Sequence, residues 1–270
     1  MKILVIPDVH QKLEKLSIIL ENNTFDTLIS LGDWFDDFYD SPMHAENTAN
    51  YILKLYSKYG ENFIWLLGNH DVPYLFPATY DRRACSGNTR DKLKVINKVF
   101  QGSSPLGFRP KLAHVVEIDE CLPIVLSHAG VSEHHFGHPL EKDISAASVL
   151  SRCLIAETFL ALGLDDPILG AGMARGGREP VGGINWLDWN HEYAPVEGLS
   201  QIVGHTPLHA PMVIDECRAS ITPDDKMPAI DRYRLKPGKS YNVNIDTHLE
   251  NYITIENNEI LIHKTACLIS

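Results

Sequence analysis

The sequence predicts an α/β fold, and three observations carry that prediction. Residues 1–70 alternate short apolar runs with a helical pattern. Each apolar run stops at a cluster of Gly, Asp, Asn or His. Residues 199–264 then supply one β-type run after another. Alternation of strand and helix calls for parallel crossover connections.

The elements follow in order. Residues 2–7 form a continuous apolar run, as a buried strand does. Leu13, Leu16, Ile19 and Leu20 then fall on one helical face. Residues 26–31 are a second strand, ending in Gly32-Asp33. Ser41-Pro42 is an N-cap followed by proline at the first helical position, and Gly60 is the matching stop. Residues 62–67 are a third strand, ending in Gly68. A helix is expected over 91–100, strands over 114–119 and 122–127 that pair antiparallel, and a long helix over 144–162. The stretch 170–183 is rich in Gly and Arg without periodicity and reads as a loop. Strands are expected over 199–203, 211–217, 240–245, 251–256 and 260–264, the last two joined at Asn257-Asn258 by a tight hairpin turn. Residues 218–238 carry three prolines and several charges, and read as an exposed excursion. No boundary interrupts the chain, so a single domain over 1–270 is expected.

Composition narrows the function. The chain has 270 residues, a 44% hydrophobic content and a formal charge of −11. That length buries a core without disulfide or metal staples, and the composition is that of a folded protein. No apolar run nears the roughly 18 residues of a membrane span, and the start at Met1-Lys2 runs directly into a strand, with no signal-peptide pattern. The acidic balance disfavours passive binding to nucleic acid or anionic membranes. Five scattered cysteines without a CxxC read as reduced thiols, which places the protein in the cytoplasm.

Metal-ligating residue types recur just after apolar strands: Asp8 and His10, Asp33 and Asp36, Asn69 with His70 and Asp71, His128, and His205. Ligands of open α/β sheets bind beyond the carboxyl ends of strands, so five strand ends would deliver oxygen and nitrogen donors to one region. Asp8 and His10, two apart, point to one side of an extended chain. Gly32 and Gly68 allow tight turns beside an ion. One at a time these are ordinary polar loop residues. Together, as carboxylate, imidazole and amide without thiolate, they suit a catalytic centre of manganese, with iron or zinc as alternatives, rather than structural zinc.

Asp8-Val9-His10, Gly32-Asp33-Trp34-Phe35-Asp36, Gly68-Asn69-His70-Asp71, Ser127-His128-Ala129-Gly130 and Gly204-His205-Thr206-Pro207 resemble, in order, the motifs of the calcineurin-like metallophosphoesterases. The resemblance spans residues 8–207. It implies a sandwich of two β-sheets flanked by helices in four layers, with a two-metal site at its edge. It implies that Asp8, His10 and Asp33 hold one divalent ion, that Asp33 bridges to a second, and that Asn69, His128 and His205 complete the second. A bridging hydroxide would attack phosphorus. His70 would protonate the leaving oxygen, oriented by Asp36.

Within the family, Pro207 stands where many phosphodiesterases carry a further histidine, and His209 lies at a different spacing. With Asn244-Ile245-Asp246-Thr247, the pattern is more similar to phosphoprotein phosphatases and symmetrical dinucleoside tetraphosphatases. One departure matters. Asp37 and Phe38 occupy the Arg-Gly positions of the phosphoprotein phosphatase motif, and a carboxylate cannot grip a phosphate dianion. The candidates for that grip are Arg82 and Arg83, and, slightly ahead, Arg175 and Arg178 in the Gly-rich loop, since arginine forks match phosphate.

Other residues have competing readings. Asp71 reads as a turn residue or a partner of the ligands. His134, His135 and His138 are either an accessory metal tract or the mouth of the site. Trp34, Phe35, Phe38 and Tyr39 either stack on a nucleobase or pack in the core. The expected activity is metal-dependent hydrolysis of a phosphomonoester, on phosphoprotein or a small ester. Dinucleoside polyphosphate hydrolysis and phosphodiesterase activity are the alternatives.

Overall fold

The computed structural model describes all residues except Phe38, 104–107, 137–143, 216–217, 222–227 and 269–270. In chain order the elements are β1 (Ile3–Ile6), α1 (Leu13–Glu21), β2 (Thr27–Ser30), α2 (Pro42–Tyr59), β3 (Phe63–Trp65), α3 (Val72–Leu75), α4 (Tyr80–Arg83) and α5 (Arg90–Ser103). The strands β4 (Ala113–Val116) and β5 (Ile124–Ser127), the helix α6 (Ala146–Ala161) and β6 (Ser200–Val203) come next. The chain continues through β7 (Met212–Asp215), β8 (Arg218–Ile221), β9 (Ile230–Arg234), β10 (Tyr241–Asn244), β11 (Asn251–Glu256) and β12 (Glu259–Lys264).

The strands form two mixed six-stranded sheets, ordered β3-β2-β1-β11-β12-β9 and β4-β5-β6-β10-β7-β8. Within the first, β1 pairs parallel with β2, and β2 parallel with β3, as the strand–helix alternation requires. Side-chain alternation explains the layering. Ile3, Val5 and Ile29 face inward, where they meet Ile124, Leu126, Ile202 and Val243 of the second sheet. Leu4, Ile6, Leu28, Phe63 and Trp65 face the other way, onto Leu16 and Ile19 of α1, Ile52 of α2 and Ile96 of α5. Val125 on the outer side of the second sheet packs on Val149, Cys153 and Leu160 of α6. The order is helix, sheet, sheet, helix, the predicted sandwich.

Local chemistry explains the ends. The Ser41 hydroxyl accepts from the His44 amide, Pro42 opens α2, and Gly60 closes it at φ 57°. Ser145 and Ser148 cap α6 reciprocally. Asn257 and Asn258 both take positive φ, at 52° and 58°, and turn β11 into β12.

The expected excursion at 218–238 is corrected: it contributes β8 and β9, the edge strands of the two sheets. An edge strand faces water on one side. In β9, Asp231, Arg232 and Arg234 alternate with little burial, so the segment has loop-like composition and strand geometry. Pro223 lies outside the described residues. The four-residue helices α3 and α4 were not foreseen, because one turn has no periodicity to detect.

His263 on β12 stacks on Tyr252 at a centroid distance of 4.8 Å and shares a 2.7 Å hydrogen bond with Thr254 Oγ1. Burial, with Lys2 nearby, pulls its pKa from 6.5 to about 4. The fold therefore prefers the neutral ring, and this contribution to stability is present above pH 6.5 and lost as pH falls toward 4. In His263→Gln, urea midpoints should fall less between pH 7 and pH 4.5 than in the wild type. Parallel falls would remove His263 as a source of the acid limb.

Candidate metal centre and active site

The loops after β1, β2, β3, β5 and β6 converge at one edge of the sandwich. They are stitched together by the backbone: the amides of Val9 and His10 donate to the Asp33 carbonyl, and the Gly204 amide donates to that of His128. The approach is too close for side chains. A Cβ on Gly68 would stand 2.0 Å from Asp33 Oδ1, and one on Gly204 2.0 Å from Asp8 Oδ1. His10, Asp33, Asp36 and His205 all adopt positive φ, between 40° and 67°. Such backbone is strained for these residue types and is held only where the surroundings impose it.

Two groups of ligand-type atoms result. Asp8, His10 and Asp33 form one, and Asp33, His128 and His205 the other, with the atoms in each group within 4.8 Å of one another. Asp33 belongs to both. His10 Nε2 lies 3.7 Å from Asp33 Oδ2 and 4.0 Å from Asp8 Oδ2. His128 Nε2 lies 3.1 Å from Asn69 Oδ1, 3.1 Å from His205 Nδ1 and 3.4 Å from Asp33 Oδ2. All but His10 are buried.

The hydrogen bonds show that these atoms fit a cation. His128 Nδ1 donates to the Leu31 carbonyl at 2.8 Å, and His10 Nδ1 to that of Asp36 at 2.7 Å. Each ring therefore turns Nε2, its lone-pair nitrogen, toward the carboxylates. Asn69 points its amide nitrogen at Cys85 Sγ, which turns its oxygen toward His128 Nε2. An imidazole lone pair and an amide oxygen 3.1 Å apart repel unless a proton or a metal ion lies between them. With Nδ1 of His205 aimed into the same group, its buried Nε2 has no hydrogen-bond partner in the protein.

Charge runs the same way. Burial lowers the His128 pKa, but the Asp33 and Asp8 charges overcome it and push it up to about 9. Burial lifts Asp33, and His128 and His70 more than reverse this, so its carboxylate stays ionised. Asp8 is lifted well above the ordinary carboxylate range by burial and by Asp246. His205 is held well below its ordinary value by burial beside His128. Asp246, buried just after β10, adds a carboxylate from a sixth strand end.

His70 stands beside this centre. Its amide donates to Asp33 Oδ1 at 2.9 Å, and its Nδ1 lies 3.1 Å from Asp36 Oδ2. Burial depresses its pKa, and the Asp33 charge with the Asp36 hydrogen bond reverses this, leaving it well above 6.5. Asp36, expected to orient His70, is also a hub whose other partners the sequence reading missed. Tyr74 Oη donates to its Oδ1 at 2.7 Å, Lys92 Nζ donates to the same oxygen at 2.8 Å, and Asn88 Nδ2 donates to Oδ2. Lys92 is 3% exposed and also donates to Asp40 Oδ1 and to the Gly87 carbonyl. Removing one partner of a buried ion pair costs about 3–5 kcal/mol. Lys92→Met should lose that much stability in urea denaturation, and a loss under about 1 kcal/mol would show that the carboxylates find another counter-charge.

A cleft of about 290 Å³ faces the centre, lined among others by His10, Asp33, Asp36, Asn69, His70, Arg175 and His205. Of the four arginines, Arg175 is brought there. Its Nε lies 2.7 Å from Asp188 Oδ2, and its Nη2 donates to Thr206 Oγ1. The Gly-rich loop is folded too tightly for side chains: a Cβ on Gly177 would stand 1.8 Å from the Ala171 carbonyl oxygen. Arg178 is exposed and lines no part of the cleft. Arg82 donates to the Gly163 carbonyl, and Arg83 to those of Leu169 and Asp166 and to Asp165. Neither lines the cleft.

The other readings resolve as follows. Asp71 is buried and accepts from the amides of Trp34 and Gly68 and from Trp65 Nε1, locking two of the ligand loops. Trp34 and Phe35 are fully buried against Trp65 and Tyr74, so they are core residues and not base-stacking platforms. Tyr39 is exposed, and Phe38 lies outside the described residues. His135 is spent on the Ser132 amide and the Gly182 carbonyl, and His138 lies outside the described residues. Pro207 and His248 line the cleft, Lys12 and Trp186 with them, and His209 is exposed.

The sequence pattern of the calcineurin-like phosphoesterases matches residues 1–209. No curated protein matches the chain in sequence. Among solved structures the chain is similar to a cold-active protein-tyrosine phosphatase of a psychrophilic Shewanella species, at 14% identity and a TM-score of 0.51, over 98% of this chain and 78% of that one. It is also similar to a metallophosphoesterase from Sphaerobacter thermophilus, at 16% identity and a TM-score of 0.48, over 98% and 88% of the two chains. At 14% identity the likeness to the Shewanella phosphatase speaks for the fold alone. The match over residues 1–209 speaks for more: this chain belongs to the calcineurin-like phosphoesterase family and is a phosphoester hydrolase.

Proposed function

We propose that the protein hydrolyses phosphomonoesters with two divalent metal ions. Asp8, His10 and Asp33 would hold one, and Asp33, Asn69, His128 and His205 the other. The observation that carries this reading is the sharing of Asp33 between two ligand groups with the His70–Asp36 pair alongside. Two such ions, when bound, supply a water acidified to hydroxide near neutral pH and offset charge on the phosphoryl oxygens. The chain supplies the rest. His70, kept as imidazolium by Asp33 and Asp36, donates its proton to the leaving oxygen. Asp36 fixes the ring through Nδ1, so Nε2 carries the proton that moves. Arg175 grips a non-reacting phosphoryl oxygen, the role left open by Asp37. Pro207, where a diesterase would have a further imidazole, favours monoesters.

Manganese suits this oxygen and nitrogen set, with iron or zinc as alternatives. Residues 1–270 act as one domain, since both sheets contribute ligands to the centre. No helix among the described residues is long and apolar enough to cross a membrane. A cytoplasmic setting fits the free thiols of Cys85, Cys121 and Cys153.

The test is one plate. Metal-stripped protein is reloaded with manganese and assayed on p-nitrophenyl phosphate, bis-p-nitrophenyl phosphate, a phosphopeptide and diadenosine tetraphosphate. Metal-dependent turnover, with monoester above diester, is expected. A preference for the tetraphosphate would select the dinucleoside polyphosphatase reading instead, and no turnover with ions bound would end the proposal. In Arg175→Ala the KM for phosphate esters should rise about tenfold with a smaller change in kcat. An unchanged KM would take the grip away from Arg175.

A further inference from the structure

A second cavity, of about 400 Å³, adjoins the cleft and shares Ser86, Arg175 and Trp186 with it. Its wall carries three arginines, Arg82, Arg83 and Arg175, and none of the described carboxylates. This is unusual in a chain with a formal charge of −11. The three charges are not equivalent. Asp165 matches Arg83 and Asp188 matches Arg175. Arg82 donates to the Gly163 carbonyl, which satisfies a donor without cancelling the charge. Among the described residues no carboxylate pairs with Arg82, so the cavity presents its cation beside two guanidinium groups that Asp165 and Asp188 already match.

Its position relative to the chemistry is informative. Cys85 lines this cavity, and its Sγ lies 3.7 Å from His70 Nδ1. That nitrogen faces Asp36 and not the leaving oxygen, so the link to the chemistry is the wall shared at Ser86, Arg175 and Trp186. In a phosphomonoester everything beyond the phosphoryl group belongs to the leaving alcohol, and only that part of a substrate seated in the cleft can extend into this cavity. A neutral alcohol would leave the Arg82 charge unanswered there. An anionic one would answer it, through the planar forks that suit phosphate and carboxylate.

We propose that this cavity is a subsite for a second anionic group, phosphate or carboxylate, carried on the leaving-group side of the substrate. The protein is then selective for phosphate esters of alcohols that are themselves charged. This inference rests on the phosphomonoesterase reading for its orientation, and its test separates the two.

The probes are propane-1,3-diol bisphosphate, 4-phosphonooxybutanoate and propyl phosphate, with butane and hexane homologues of the first, assayed on the metal-loaded protein. The expected result is a kcat/KM at least about tenfold above that of propyl phosphate for one of the charged esters. For the bisphosphate this is counted after division by two, because it offers two equivalent phosphates. Whichever ester leads names the anion. Arg82→Gln should bring the preference close to unity, and Arg82→Lys should keep part of it, with melting temperatures confirming that both variants fold. A wild-type preference within the twofold statistical factor, or one unchanged in Arg82→Gln, overturns the proposal. A second readout needs no turnover. Calorimetry on the same protein should show propane-1,3-bisphosphonate binding more tightly than propylphosphonate, with the difference lost in Arg82→Gln. If no ester is hydrolysed, the phosphomonoesterase reading fails, and the calorimetric comparison still decides the subsite.

Discussion

Asp33→Asn is expected to leave a folded protein that retains little metal and turns over more than about 10³-fold more slowly, since even the outer partners of metal ligands are worth about 10–100-fold. The reason is geometric. Asp33 is the residue common to both ligand groups, and its Oδ2 lies 3.4 Å from His128 Nε2 and 3.7 Å from His10 Nε2. Asparagine keeps the shape and can still accept from the His70 amide through Oδ1, but it removes the charge both ions would share. The measurement is metal content by elemental analysis alongside the rise in melting temperature on adding manganese. Ligand-linked stabilisation grows with the ratio of free metal to its dissociation constant, so the wild type should gain and the variant should not. Normal metal content with a normal rate would end the two-metal reading.

His70→Asn should separate esters by their leaving groups. General acids contribute about 10²–10⁴-fold where the leaving oxygen needs a proton and far less where it does not. On an alkyl phosphate the variant should lose a factor in that range. On p-nitrophenyl phosphate, whose phenolate leaves unaided, the loss should be about tenfold or less. Equal losses on both would remove His70 as the acid, and they could not be charged to its amide bond to Asp33 Oδ1, which asparagine retains. The wild-type rate on alkyl esters should also fall as pH rises through the His70 pKa, which Asp33 and Asp36 hold well above 6.5 against the effect of burial. On p-nitrophenyl phosphate this alkaline fall should be weak.

Much of the site was legible because its information is local. A strand end, a glycine where two loops touch, and a carboxylate or imidazole one or two residues on occupy a few consecutive positions. Asp8-Val9-His10 and Gly68-Asn69-His70-Asp71 can be read without knowing what they face. The helices with capping residues, such as α2 between Ser41 and Gly60, were legible for the same reason. The edge strands β8 and β9 were not, because strand pairing is a property of two segments and β9 presents charges to water. The partners of Asp36 were not either. Lys92 is 56 residues away on α5 and reaches Asp36 only because α5 packs beside α2 over the first sheet.

The amino-acid sequence by itself determined the α/β class, the family pattern and the set of donor types that this edge of the sandwich presents. Only the tertiary structure decided which of four arginines faces the cleft, that Trp34 and Phe35 belong to the core, and that a buried lysine and a tyrosine hold Asp36 beside His70. The physical reason is range. Residue type and short spacing fix what a side chain can do, whereas burial, charge compensation and the cavity it lines depend on segments that meet only when both sheets have closed on one another.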